Sequence, residues 1–204
     1  MSERAESAGR SPLNLVVLAL LFEAPMHPYR MHKLIRDRGK DEVVNVRSRN
    51  SVQQTVSRLE RVGLIEVTAT DQEGNYPQRS VYALTAAGRE ELLDSLRYLL
   101  TTPAREFPLF PAALSLMAIT SVESAAGMLR QRREELSRTV SRKAESLETD
   151  AARLPRILLI ENDYIVAMQE AEIAWIDRTL DAIAAGTLTW HTQRLVDEAS
   201  RYER

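Results

Sequence analysis

The sequence contains no cysteine, which excludes disulfide frameworks, thiolate zinc sites, cysteine nucleophiles and CxxC redox centres. Glycine is scarce, seven in 204 residues. None falls into the GxGxxG, P-loop or GxSxG spacing that would cradle a phosphate or present a nucleophile. The three histidines are His27, His32 and His191. His27 and His32 stand five apart rather than the four that would place both on one helix face, and no carboxylate sits beside them at ligand spacing. A cap or surface role is expected for them, and no metal site. Carboxylate pairs such as Glu134-Glu135 fall on a solvated helical surface. No catalytic residue, metal or cofactor is expected, and the chain does not read as an enzyme. The longest apolar run, Leu15 to Phe22, is eight residues, against roughly 20 for a bilayer span. The first ten residues, MSERAESAGR, lack the apolar segment of a secretory signal. They read as a flexible tail, and the expected location is the cytoplasm, with no membrane partner.

What is present is ordinary in amount and uneven in placement. Hydrophobic residues make up 44% and charged residues 27%, inside the range of chains that fold. Net charge is only −2. From His27 to Arg61, however, nine basic residues (Arg30, Lys33, Arg36, Arg38, Lys40, Arg47, Arg49, Arg58, Arg61) face four acidic ones, so that segment is +5 and the remainder −7. A local basic zone in an acidic chain suits a phosphate-contacting surface; chance clustering on a solvated face is the alternative.

Ser11-Pro12 offers a cap and a first-turn proline for a helix that is apolar almost all round to Phe22. A second helix runs from about Pro28 to Arg38, with Tyr29, Met31, Leu34 and Ile35 as its inward stripe and Gly39 as its stop. Asp41 to Arg47 alternates loosely and reads as a short extended piece. Arg49-Asn50-Ser51 supplies capping side chains, and Val52, Val56, Leu59 and Val62 form one helical stripe closed by Gly63. Leu64–Thr68 and Ser80–Leu84 alternate and are rich in β-branched residues, with turn formers between, so a hairpin with a long exposed tip is expected. Thr85 caps a helix from about Ala86 to Leu100, with Leu92, Leu93, Leu96, Leu99 and Leu100 as its stripe.

Thr102-Pro103 and Pro108 to Pro111 mark a domain boundary. A long helix follows from Ser121 to about Arg153, in which Val122, Leu129 and Leu136, then Val140, Leu147 and Leu154, recur at seven, a coiled-coil-like seam interrupted by Arg133 and Lys143. A last helix, about Arg156 to Ala185, carries Ile160, Tyr164, Ala167, Ala171, Ala174, Leu180 and Ile183, and Gly186 ends it. The expected architecture is mainly α: a tail at 1–10, a winged helix-turn-helix with a two-stranded β-wing at 11–102, long dimerisation helices at 103–190 and a C-terminal tail at 191–204.

Three helices and a hairpin suit duplex DNA, since a helix fits the major groove and a wing can lie along the backbone or minor groove. With Val52, Val56 and Leu59 inward, Asn50, Gln53, Gln54, Ser57, Arg58 and Arg61 are expected outward, carrying donors and acceptors for base edges and phosphates. Arg49 and Ser51 at the helix start, Arg79 in the wing, and Tyr29, Arg30 and Lys33 on the second helix complete the candidate DNA contacts. Tyr29 is equally readable as core.

These residues resemble the PadR family of bacterial transcriptional regulators. Ala24-Pro25-Met26-His27-Pro28-Tyr29 is similar to that family's turn before the second helix, where His-Gly-Tyr is commoner. Ser51 to Glu66 (SVQQTVSRLERVGLIE) is similar to its recognition helix and first wing strand, and Tyr82 to Gly88 (YALTAAG) to its second strand and helix entry. Gln53 stands where the family usually has tyrosine. The resemblance implies a homodimer held by the C-terminal helices, often with the first helix contributing, and repression usually relieved by a small molecule. Leu129, Leu136, Val140, Leu147, Ile160, Tyr164 and Trp175 are the candidate dimer contacts. Because aromatic side chains stack on flat ligands in some relatives, Trp175, Phe107 and Phe110 are candidate effector contacts; Trp175 as an ordinary interface or core residue is the alternative. A sequence-specific regulator on a pseudo-palindromic operator is the reading preferred. A helical interaction module whose winged helix binds a protein is the rival, and a ligand sensor without DNA binding is a weaker third.

Overall fold

Pro12 has a φ suited to a helix and no N–H to leave unsatisfied, and the chain enters α1 (Pro12–Glu23) there. Ser11 precedes it in an extended conformation but makes no side-chain cap bond, contrary to expectation. The computed structural model describes residues 11–44, 46, 49–71, 79–103 and 106–193. The expected tail at 1–10, the wing tip at 72–78 and the C-terminal tail from 194 onward lie outside the described residues. Two units divide the chain, Met1–Arg105 and Glu106–Arg204.

In the first unit α1 is central. It buries Leu13, Val17, Leu18, Leu20 and Leu21, together with the polar Asn14. Helix α2 (Pro28–Asp37) begins on His27, whose Nδ1 accepts the Tyr29 N–H at 3.0 Å, and Gly39 ends the segment at φ +63°. Met31 and Ile35 point inward and Leu34 is half-buried, but Tyr29 is 54% exposed and leaves the expected stripe. The extended piece expected after Asp41 is a 3-10 turn at Lys40–Glu42, because the N–H groups of Val43 and Val44 both fold back onto the Lys40 carbonyl. Val44 enters the core and Val43 does not.

Helix α3 (Arg49–Arg61) starts early enough that Arg49, Asn50 and Ser51 are its first turn, not flanking caps. Its buried stripe is Val52, Thr55, Val56 and Leu59; Val62 lies past the helix and is exposed. Gly63 adopts φ +77°, which turns the chain into β1 (Ile65–Asp71). That strand pairs antiparallel with β2 (Arg79–Leu84), from Ile65 opposite Leu84 to Asp71 opposite Arg79, with a register shift between Val67 and Ala69. Met26, in the turn between α1 and α2, exchanges both backbone bonds with Tyr82 of β2 at 3.0 and 3.1 Å.

Helix α4 (Ala86–Thr101) is riveted to the end of α3. The Thr85 hydroxyl donates to the Gly63 and Leu64 carbonyls at 2.8 and 3.0 Å and accepts the Gly88 N–H at 3.0 Å, the cap anticipated from sequence. Gly88 is required by closeness, not conformation: a Cβ there would lie 2.0 Å from the Leu64 carbonyl oxygen. Of the expected α4 stripe only Leu92 is buried, while Leu93, Leu96, Leu99 and Leu100 are exposed. A bidentate ion pair, Arg38 to Glu23 at 2.6 and 2.8 Å, ties the ends of α1 and α2 together.

The second unit holds α5 (Leu109–Ser115), a 3-10 turn at Met117–Ile119, α6 (Val122–Ala151), a 3-10 turn at Arg156–Leu158 and α7 (Ile160–Ala184). Ser121 caps α6 by accepting the Ser124 N–H at 3.1 Å, and Gly186 stops the chain after α7 at φ +72°. Helices α6 and α7 fold back on one another, joined by the pairs Arg132–Glu172 and Arg133–Asp177. Beyond α7, Trp190 Nε1 donates to the Thr120 carbonyl at 2.8 Å and the Thr192 hydroxyl to that of Ala118 at 3.0 Å, clamping the entry to α6. The stripe expected on α7 is corrected by rotation. Ile176 is fully buried, and Ile165, Gln169, Ile173, Leu180 and Ile183 are half-buried, whereas Ile160, Tyr164, Ala167, Ala171 and Ala174 are exposed.

Candidate nucleic-acid interface

Helix α3 carries one face in the core and presents the other. Asn50, Gln53, Gln54 and Ser57 are exposed, along with Glu60 and Arg61, while Ser51 is half-buried at the first turn. Amides and hydroxyls on successive turns give paired donors and acceptors, the chemistry that matches base edges in a major groove, and Gln is a natural bidentate partner for adenine. The helix is held against α1 and α2 by Val52, Val56 and Leu59, all at 1% exposure or less. A rigidly seated helix keeps its polar tips in fixed positions.

Arg58 is placed differently from its neighbours. Its guanidinium turns into the unit, where Nη2 donates to Asn14 Oδ1 of α1, and its Nε is buried without a hydrogen-bond partner among the described residues. The residue is half-buried, not outward. The side chains of Arg49 and Arg79 fall outside what is described; by backbone, Arg49 opens α3 and Arg79 opens β2 opposite Asp71.

On α2, Tyr29, Arg30 and Lys33 are all exposed. Tyr29 and Lys33 line a shallow polar depression of about 310 Å³ with His32, Arg36, Asp37 and Asp41. His32, expected in a cap or surface role, and Arg36, counted in the basic zone, are not among the candidate DNA contacts, although the 3-4 spacing from Tyr29 through His32, Lys33 and Arg36 places all four on one helix face.

In the second unit Phe110 and Trp175 meet edge to face, centroids 6.1 Å apart at 87°, and the Arg132 guanidinium lies 3.7 Å above the Phe110 ring. Phe107 is exposed. Of the candidate dimer contacts, Leu129 is buried within the chain itself, Leu136, Val140 and Leu147 are half-buried, and Ile160, Tyr164 and Trp175 are exposed. On α7, Ile160, Tyr164, Met168, Ala171 and Trp175 recur at 4, 4, 3 and 4 residues, one exposed apolar ribbon about a third of a turn round the helix from Ile176. Among the described residues no group of three His, Asp or Glu side chains converges as a metal site would require, and no helix is long and apolar enough to cross a membrane.

Residues 17–94 match the PadR-like family of transcriptional regulators. A comparison with curated proteins finds no match. Among solved structures, PadR of Bacillus subtilis in complex with operator DNA has a TM-score of 0.65 at 16% identity, over 83% of this chain and 97% of that one. The same protein in complex with p-coumaric acid has a TM-score of 0.69 at 15% identity, over 85% and 99%. The virulence activator AphA of Vibrio cholerae has a TM-score of 0.63 at 21% identity, over 85% and 98%. At these identities the likeness is one of fold.

Proposed function

Since residues 17–94 belong to the PadR-like family of transcriptional regulators, we propose that the chain represses transcription as a homodimer on a pseudo-palindromic operator, with α3 in the major groove. Regulation, and not enzymatic chemistry, is the work of that family. The observation that carries the reading is the exposed row Asn50, Gln53, Gln54 and Ser57 on a helix whose opposite face is locked into the core. Tyr29, Arg30 and Lys33 on α2, with Ser51 and Arg49 at the start of α3 and Arg79 in the wing, would engage phosphates and sugars, which position a protein on duplex without reading it.

The dimer is proposed on the apolar ribbon of α7, from Ile160 through Tyr164 to Trp175, with the partly covered α6 positions Leu136, Val140 and Leu147 beside it and Leu129 as inner support. Two recognition helices related by a twofold would then sit about 34–36 Å apart, one turn of duplex. For an effector, Phe110 and Trp175, with Phe107 nearby in sequence, offer aromatic faces to a flat ligand; p-coumaric acid, found with the Bacillus subtilis protein, is a suitable probe. Of the two tryptophans, Trp175 would report its binding by quenching and Trp190 would not.

The test is selection of the full chain against a random duplex library at two salt concentrations. Enrichment of a twofold-symmetric motif whose affinity falls steeply with salt, through counterion release, supports the reading. Enrichment of nothing at either salt, with or without p-coumaric acid, overturns it in favour of a protein partner.

A further inference from the structure

Asn14 is a polar side chain at 0% exposure in the most apolar helix of the molecule. Its amide oxygen accepts from Arg58, which reaches inward from the last turns of α3. Neither residue type belongs at such a site on hydrophobic grounds. A buried polar group costs stability unless it is paired, and a buried cation costs more. The other buried α3 side chains are Thr55 and the apolar Val52, Val56 and Leu59, and apolar contacts are non-directional. They seat the helix and choose its inward face, but leave the fine adjustment of its roll about its own axis to directional contacts. A hydrogen bond does fix it, because it weakens steeply with misalignment.

We infer that Arg58 is a positioning residue for recognition: by anchoring on Asn14 it sets the roll of α3 and hence where Asn50, Gln53, Gln54 and Ser57 point. The geometry makes this consequential. Side-chain tips stand about 5–6 Å from a helix axis, so a roll of about 20° sweeps them through about 2 Å, enough to break a base contact of about 2.9 Å. Arg58 thus contributes to selectivity from inside the unit, through another residue, with no base in contact. The inference rests on the DNA-binding reading above.

The experiment compares the full chain with Asn14→Leu, Arg58→Met, Arg58→Lys and the double variant Asn14→Leu/Arg58→Met. For each, affinity is measured on the selected motif and on a scrambled duplex across a salt series. Asn14 lies in the core of α1, so its loss cannot remove a DNA contact. The expected result is that Asn14→Leu and Arg58→Met lower the specific-to-nonspecific ratio by similar factors, about tenfold or more, the size of one lost base match. The double variant should be no worse than either single, and the salt slope should be unchanged in all. Arg58→Lys, which keeps the charge but not the planar fork, should also lose selectivity.

A ratio that falls for Arg58→Met but holds for Asn14→Leu, or a slope that drops only with Arg58, overturns the inference and makes Arg58 a direct contact. An unchanged ratio in every variant overturns it in favour of a purely stabilising pair. Wild type that enriches no motif sinks the DNA reading instead. Urea unfolding of the same four variants without DNA then decides the lock itself, additive losses overturning it and strongly non-additive losses upholding it.

Discussion

The two units dispose of their apolar residues in opposite ways. In the first, Val17, Leu18, Met31, Ile35, Val56, Leu59 and Ile65 are at 1% exposure or less, and what faces outward on α2 and α3 is mostly amide, hydroxyl and cation, with the carboxylates of Asp37 and Glu60. In the second, the buried apolar residues among those described are Ala125, Ala126, Leu129, Leu159 and Ile176, while Leu109, Leu116, Ile119, Ile157, Ile160, Tyr164 and Met168 are exposed. One unit has closed its core and displays chemistry; the other has two long helices whose outer face still carries contiguous apolar surface of the kind that marks association sites. The contrast softens at single positions such as Phe22, Val62 and Val67, and most at the end of the first unit, where α4 leaves Leu93, Leu96, Leu99 and Leu100 uncovered.

The contrast can be broken most forcefully at the core. Leu18→Ala, at a position with no exposure, should cost about 2–5 kcal/mol, read as a lower midpoint in urea unfolding; an unshifted midpoint would mean that the first unit is not closed as described. Next in size, Tyr164→Glu with Met168→Glu places charge on the α7 ribbon. Self-association should weaken by about 2 kcal/mol or more, the scale of central interface residues, with helicity retained, as read by sedimentation and circular dichroism. Monomeric wild type in the same experiment would leave the ribbon without its partner and the comparison without its second half.

Smaller changes sharpen it. Gln54→Ala on the polar face should leave the unfolding midpoint in place and relax base preference at one operator position by about 1–3 kcal/mol. Loss of binding on every sequence alike would move Gln54 to the backbone-contacting set. The smallest effect is expected at Glu23. Its hydrogen bond to Arg38 holds its carboxyl below the ordinary 4.5, so the unfolded chain takes up a proton at higher pH than the folded one. The stabilisation is complete above the unfolded value and is lost as pH falls through the lowered one. Both partners are nearly half exposed, so Glu23→Gln should cost only about 0–1 kcal/mol near neutral pH, and the acid limb of the unfolding midpoint should become shallower.

Where a feature was set by local chemistry, the sequence carried it. Gly39, Gly63 and Gly186 end their segments at positive φ, Thr85 and Ser121 cap theirs, and Val52, Val56 and Leu59 seat α3 as their spacing indicated. Partnerships between distant residues were hidden. Arg58 read as outward because a long basic side chain on a basic helix usually is, and only the fold brings Asn14 beneath it. Helix α7 is apolar on two sides, so periodicity allowed two rotations and could not choose; packing against α6 selects the side with Ile176. The α4 leucines read as core because a leucine stripe looks the same whether its cover comes from one's own unit or from elsewhere. Gly88 closes the YALTAAG stretch, yet its reason, the Leu64 carbonyl against it, is purely tertiary.

The bridge between Met26 and Tyr82 sets an order in time. Contacts among α1, α2 and α3 and the fold-back of α6 on α7 join elements close in sequence, whereas this pair closes a loop around α2, α3 and β1. Long-range closures of this kind come late and slow the search for the native state. During synthesis the three helices can therefore collapse together before β2 has left the ribosome, but the turn that orients α2 acquires its backbone partners only afterwards. The first unit, translated before the second, is in this respect among the last parts to be finished.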